Sequence, residues 1–560
     1  MSASGAAAVP AARSAAVAGL PWPRGVKLAI AVLAGAALAL AFAPLSLWPL
    51  AVAAPAVLVV LWQGASPRLA AALGFCFNFA TFAAGTYWLY TSIHGFGEAP
   101  IWMALGLMLG LVGIMALYGA GLGYGVARFL PASGALRWMV AIPAAWVIIE
   151  WWRGWFLTGF PWMSLGYTQT GTWLSGYAPL AGVYGISALI LVGAGALVTL
   201  AWGTRAERLA AVALTAAMWL FGWPLARVDW THIAGAPVRV AIVQGAIPQD
   251  QKWLDSNRDR TLTLYGTLTG KALGDRVIVW PEAAAPDLIN NLMYWLTALY
   301  REAHKAGSAL VIGVVREDEG LYYNSILSLG AHPEWYNKHH LVPFAEFFPV
   351  PRFVRSWLRL MDLPYTDFER GAADQPPLDA GGLVLDASIC YDDAYGSSML
   401  PQLTTADALV NVTNDAWFGH SSARYQHLQI AQMRAQETGR FMLRAANDGI
   451  SAVIGPHGRI LAEAPQYRPV VLQALVTPYL GLTPYARVGN WLIISLAATT
   501  LALSAGWAWS RRRSSGPASA AHPIAAWVQR MLAGIPWRGT SSGTGASTAS
   551  IRNSSWRSGT

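Results

Sequence analysis

The sequence predicts two parts of different class: a polytopic α-helical membrane domain of about eight spans, and a layered α/β domain inserted before the last span. Three observations carry this. Of 560 residues, 55% are hydrophobic and only 12% charged, with a mean hydropathy of +0.39, well outside soluble composition. Seven long apolar stretches precede residue 226 and one follows residue 486. Between them, residues 238–476 alternate β-branched apolar runs with polar, helix-forming segments.

In chain order, residues 1–26 form a short basic N-terminus, and 27–45 are almost wholly apolar. That first run has the flank of a secretory signal, but further spans at about 48–63, 69–92, 100–127, 138–151, 177–202 and 207–224 make a retained helix the better reading. Residues 27–226 are therefore read as transmembrane helices one to seven, and 487–508 as the eighth. The basic N-terminus, Arg68, Arg128 with Arg137, Arg205 with Arg208, and Arg511 to Arg513 fall on alternating turns, hence on one side. Loops such as PLSLWP and HGFGEAP on the other side carry almost no Lys or Arg. Both termini are then expected in the cytoplasm and residues 227–485 outside it. The stretch EWWRGWFLTGFPWMSLGYTQTG, 150–171, is crowded with aromatic residues, which an interfacial belt would explain.

Within 238–476, the runs VRVAIVQGAI, RVIVWPE, SALVIGVV, NSILSLG, GLVLDASIC, DALVNVTND and ISAVIGPHG read as buried strands. Segments 287–306 and 421–440 read as helices between them. Residues 509–560 are basic and rich in Ser, Gly, Thr and Ala, and are expected to be mostly disordered apart from a short helix near 522–534. The formal charge of +9 resides in the two ends, residues 1–27 and 509–560, which hold ten Lys and Arg and no acid, so it describes topology. No nucleic-acid partner is expected.

Three reactive side chains each follow a strand-like run: Glu282 in VIVWPE, Lys338 in YNKHHLVPFAEFFP and Cys390 in LDASICYDD. Strand ends on one edge of a layered sheet converge in a cleft. There a carboxylate can take a thiol proton, and an ammonium can favour the thiolate and hold an oxyanion. The other cysteine, Cys76, lies in an apolar run, so no disulfide is expected. Neither a metal nor a cofactor is expected: His339 and His340 are adjacent, but no third ligand stands at useful spacing.

Those three residues in that order resemble the nitrilase superfamily of carbon-nitrogen hydrolases. The motifs LTGFPWMSLGY, QGAIPQDQKW and NVTNDAWFG, with the apolar spans, are similar to the apolipoprotein N-acyltransferase family over about 27–508. The resemblance implies a nitrilase-like αββα sandwich domain and a Glu-Lys-Cys triad on Glu282, Lys338 and Cys390. It further implies supporting or substrate-binding roles for Trp253, Glu346, Tyr391, Asp392, Asn414 and Trp417. Asp392 is a departure, because members resembling this chain usually carry Glu two positions after the cysteine.

The implied reaction is acyl transfer through a thioester on Cys390, from a phospholipid donor, phosphatidylethanolamine, to the N-terminal diacylglyceryl-cysteine of an apolipoprotein at a bacterial inner membrane. A membrane-anchored amidase acting on a small amide is the alternative. Lifting an acyl chain of about sixteen carbons from a bilayer would cost about 0.8 kcal/mol per methylene, on the order of 12 kcal/mol. Such an enzyme must bring its thiol to the lipid, and LVPFAEFFPVPRFVRSWLRLM, 341–361, has the composition of an interfacial arm.

Overall fold

A computed structural model of the chain describes residues 20–347 and 368–514. It divides into two compact units, 1–508 and 509–560, and the first carries both the apolar helices and the sheets. Most of the expected interfacial arm, and the helix expected near 522–534, lie outside the described residues.

Each of the eight apolar stretches forms helix. Five are long and apolar enough to cross a membrane: Pro67–Gly85, Ile101–Phe129, Trp173–Trp202, Arg205–Leu225 and Trp491–Arg511. Arg24–Ala39, Pro49–Leu61 and Ile142–Arg153 are shorter. Lipid offers no hydrophobic drive between helices, so their contacts depend on small residues that let backbones approach. A Cβ on Gly74 would meet the carbonyl oxygen of Gly119 on the neighbouring long helix, and a Cβ on Gly119 would meet that of Gly74. The two helices therefore pack backbone to backbone.

The α/β domain begins after Leu225. In chain order its strands are β1 His232–Ile233, β2 Val238–Gln244, β3 Val277–Val279, β4 Ala309–Asp318, β5 Leu321–Leu329, β6 Pro333–Asn337, β7 Leu378–Ala380, β8 Leu383–Ile389, β9 Ala408–Thr413, β10 Met442–Ala446, β11 Ala452–Ile454, β12 Ile460–Glu463, β13 Val470–Val476 and β14 Tyr479–Leu480. They build two six-stranded sheets, ordered β13-β2-β3-β4-β5-β6 and β12-β11-β10-β9-β8-β7, while β1 pairs with β14. The inner strands of each sheet are parallel and the outer pairs antiparallel.

Alternation of side chains along the strands assigns the faces. Val240, Ile242, Val277 and Val279 meet Leu385, Ala387, Ile389, Val410 and Val412 between the sheets. The opposite faces of β2, β3 and β4, with Val243, Ile278 and Leu310, pack on the helices Asp255–Ala272 and Ile289–Lys305. On the second sheet, Leu409, Met442 and Ile454 pack on the helix Ala423–Thr438. This is the αββα sandwich, and each of the seven runs read as strands contains one.

The helix Ala423–Thr438 ends where Gly439 turns left-handed at φ 64°. It is polar in composition yet buried along almost its whole length, because its far side lies against the membrane domain. Ala423, Ile430 and Met433 share one apolar cluster with the apolar helices of the N-terminal half.

Candidate functional site

The three candidate residues converge, but from both sheets. Glu282 and Lys338 follow β3 and β6 of the first sheet, and Cys390 directly follows β8 of the second. The cleft thus lies at the shared end of the sandwich.

Glu282 is buried and held at both oxygens. Oε1 accepts from Asn324 Nδ2 at 2.7 Å and pairs with Lys338 Nζ at 3.2 Å, while Oε2 accepts from the backbone N–H of Asn414 at 2.9 Å. The turn that carries it fits only because Gly313 on β4 lacks a side chain. A Cβ there would lie 2.2 Å from the Pro281 oxygen and 2.7 Å from Glu282 Cα. Gly313→Ala is expected to slow any reaction that depends on Glu282 about 100-fold while the protein still folds, since an ångström of misplacement costs about that much. Single-turnover kinetics beside a thermal melt check this.

Lys338 is 1% exposed and sits between two carboxylates, Glu282 and Glu346, whose Oε1 is 2.9 Å away. Burial pushes its ammonium down, but Glu282 and Glu346 outweigh that and hold it well above the usual lysine range. Asn324 Nδ2 also donates to Glu346 Oε1, at 3.0 Å, and the Val342 N–H to Glu346 Oε2, at 2.8 Å. One cation and one amide therefore tie both carboxylates together.

Cys390 is partly exposed and left-handed, at φ 49°. For a residue with a Cβ that conformation costs about 1–3 kcal/mol, and it sets the thiol out from the strand end. Burial raises the thiol pKa well above the ordinary value, Glu282 adds to this, and Lys338 and a hydrogen bond to Thr413 oppose it. Burial thus favours the neutral thiol, and the Glu282 charge acts on it through space.

The supporting residues divide. Asp392 closes the turn behind the thiol: Oδ2 accepts from the Ile389 N–H and Tyr336 Oη, each at 3.1 Å, and Oδ1 from the His340 N–H at 2.6 Å. The shorter acid still reaches three donors. Asn414 holds Glu282 through its backbone and donates from Nδ2 to Gln249 at 2.7 Å. Tyr391 is buried, its hydroxyl donating to the Gly159 carbonyl at 3.3 Å. Trp253 is 49% exposed, whereas its neighbour Lys252 is buried and donates to the Glu282 carbonyl at 3.1 Å. Burial brings Lys252 down to about 8 against the pull of Glu282 and Asp448. Trp417 is exposed, its ring edge on Phe96, and its carbonyl accepts from Ser92 Oγ at 2.7 Å. His339 Nδ1 donates to the Gly371 carbonyl at 2.8 Å, and His340 stacks on Tyr395 at 3.8 Å.

An interfacial belt does not account for the whole of 150–171. Trp162 is 2% exposed, stacks on Tyr391 with centroids 6.4 Å apart, and donates to Gln426 Oε1 at 2.8 Å. The membrane domain thus forms one wall beside the thiol.

Comparison with known proteins agrees with both halves. Residues 34–196 match the family model described as the apolipoprotein N-acyltransferase N-terminal domain, and 239–485 match that of carbon-nitrogen hydrolase. A protein of Methylococcus capsulatus called apolipoprotein N-acyltransferase is 41% identical over 86% of this chain and 96% of its own length. The chain belongs to the apolipoprotein N-acyltransferase family. Relatives with that name from Azotobacter vinelandii and Vibrio vulnificus are 41% and 37% identical, over 89% and 87% of this chain and 98% and 97% of their own. As a family member it is a membrane protein and an acyltransferase of the carbon-nitrogen hydrolase superfamily.

Sequence reasoning did not single out Asn324, Lys252, His427 or Arg444. Asn324 lay inside a recognised strand, and nothing in its motif marks a side chain turned toward two carboxylates.

Proposed function

We propose that this enzyme transfers an acyl chain from a membrane phospholipid, phosphatidylethanolamine, to the free α-amine of the diacylglyceryl-cysteine at the N-terminus of an apolipoprotein. The reading is a two-step exchange through a thioester on Cys390. Glu282 takes the thiol proton as Sγ attacks the lipid ester carbonyl, and Lys338 stabilises the oxyanion. Collapse expels the lysophospholipid, which leaves with a proton from Glu282. In the second step Glu282 takes a proton from the incoming amine, the amine displaces Cys390, and the thiol is restored.

The observation that supports this most is the juxtaposition of Glu282, Lys338 and Cys390 with a wall of membrane-domain aromatics. Both lipid partners would reach the thiol beside the membrane, and the apolar wall would limit loss of the thioester to water. The loop-by-loop distribution of Lys and Arg supports an inner-membrane protein with eight spans, a periplasmic α/β domain and cytoplasmic termini.

The test incubates the purified protein with phosphatidylethanolamine and a diacylated lipopeptide bearing a free amine. One lysophospholipid should appear per triacylated lipopeptide, and lysophospholipid should stop after about one per enzyme when the lipopeptide is omitted. Continued release without the lipopeptide would point to a hydrolase instead.

A further inference from the structure

Beneath the thiol lies a cluster of charge that the reaction above does not use. His427, Asp393, Asp415 and Arg444 are all fully buried. His427 Nδ1 is 2.8 Å from Asp415 Oδ1, and Nε2 is 3.1 Å from Asp393 Oδ1 and 3.2 Å from the carbonyl oxygen of Cys390. Arg444 reaches the second oxygen of each carboxylate, at 2.9 Å for Asp415 and 3.5 Å for Asp393. Every partner of both ring nitrogens is an acceptor, so both must donate and the ring is an imidazolium. The two cations then balance the two anions. In keeping with this, although burial and Arg444 press the ring pKa down, Asp393 and Asp415 carry it to about 9. The Trp162 ring covers the imidazole at 5.5 Å, and Asn411 Nδ2 supplies a second donor to the Cys390 carbonyl at 3.3 Å.

Two charged or polar donors on a single carbonyl fix the plane of the Cys390–Tyr391 peptide. In a trans peptide the N–H points opposite to the carbonyl. The Tyr391 N–H, in the first positions of the 3₁₀ turn Cys390–Ala394, is one that the turn leaves unpaired. It therefore faces away from the buried cluster.

We propose that His427 is a positioning residue for acyl transfer: its grip on the Cys390 carbonyl aims the Tyr391 N–H at the oxyanion formed when Cys390 attacks. This rests on the reading that Cys390 carries the acyl group. Lys338 then supplies charge to the oxyanion and Tyr391 a directed backbone donor.

The test uses the full-length enzyme in detergent with phosphatidylethanolamine, comparing wild type, His427→Gln and His427→Asn. Gln places two N–H donors near the Nε2 position and Asn places them nearer Nδ1. His427→Asn should acylate about 100-fold more slowly at saturating lipid, as loss of one oxyanion donor does. Its KM for lipid and its iodoacetamide alkylation rate at Cys390 should stay within about threefold, since neither needs the oxyanion donor. His427→Gln should recover about tenfold of the loss. Asn411→Leu, which leaves the four charges in place but takes an acceptor from Arg444 Nη1, should lose about fivefold in acylation, with a thermal melt of each variant separating that loss from the packing cost. Equal losses in the Gln and Asn variants, or alkylation falling as far as acylation, would overturn the proposal. If wild type itself forms no adduct, the thioester reading fails and the proposal falls with it.

Discussion

Replacing Glu282 by Gln is expected to slow formation of the acyl-enzyme by about 1,000-fold while making Cys390 react faster with iodoacetamide. The first effect follows from losing the carboxylate proposed to take the thiol proton, a contribution of about 10²–10⁴ in general-base catalysis. The second follows from the sign of the interaction: the Glu282 charge disfavours the thiolate, so its removal moves the alkylation midpoint to lower pH. Stability should fall as well, because Gln has one acceptor oxygen where Glu282 uses two, so either Asn324 or the Asn414 N–H loses its partner and the buried Lys338 keeps only Glu346, and a thermal melt measures this. A pH series of alkylation rates beside single-turnover acylation measures both.

Replacing Lys338 by Met is expected to abolish acylation as well, by about 100-fold or more, but with the opposite shift in alkylation and a large loss of stability. Lys338 favours the thiolate, so without it the thiol titrates at higher pH and alkylates more slowly at any fixed pH. The two carboxylates it joins, 3.2 and 2.9 Å away, would be left facing each other. Breaking a buried pair in this way costs about 3–5 kcal/mol, and part of it would be recovered at low pH as one carboxyl takes a proton. Thermal melts at neutral and acid pH should therefore converge toward wild type as the pH falls. Opposite alkylation shifts from two variants that are both inactive separate a catalytic trio from a merely structural one.

How far the site could be read from the sequence depended on where each residue sits. Glu282 and Cys390 were legible because each follows an apolar strand, and strand ends are where loops meet a cleft, whereas Lys338 follows the polar β6 and was legible through its motif YNKHHLVPFAEFFP. The strands flanking them, β6, β7, β10, β12 and β13, were less so. Pro333–Asn337 and Ile460–Glu463 are half exposed, the first with no apolar run and the second with three apolar residues at most, and the charge of Arg444 hides a wholly buried β10. The helix Ala423–Thr438 is the clearest case. ARYQHLQIAQMRAQET is polar on all sides, which in sequence suggests solvent. Here the polar groups instead answer two buried surroundings, with His427 under the thiol and Gln426 under Trp88 and Trp162. Its burial depends on two domains meeting, which no local pattern records. In QGAIPQDQKW the conspicuous Trp253 is exposed, and the lysine before it is the residue turned inward.

The central claim is that Cys390 carries the acyl chain, and intact-mass spectrometry of the purified enzyme after incubation with phosphatidylethanolamine tests it most directly. Wild type should gain the mass of one acyl chain, lost again on adding neutral hydroxylamine or a diacylated lipopeptide with a free amine, and Cys390→Ala should gain none. An adduct that persists in Cys390→Ala, or one on wild type that the lipopeptide cannot discharge, would contradict the account.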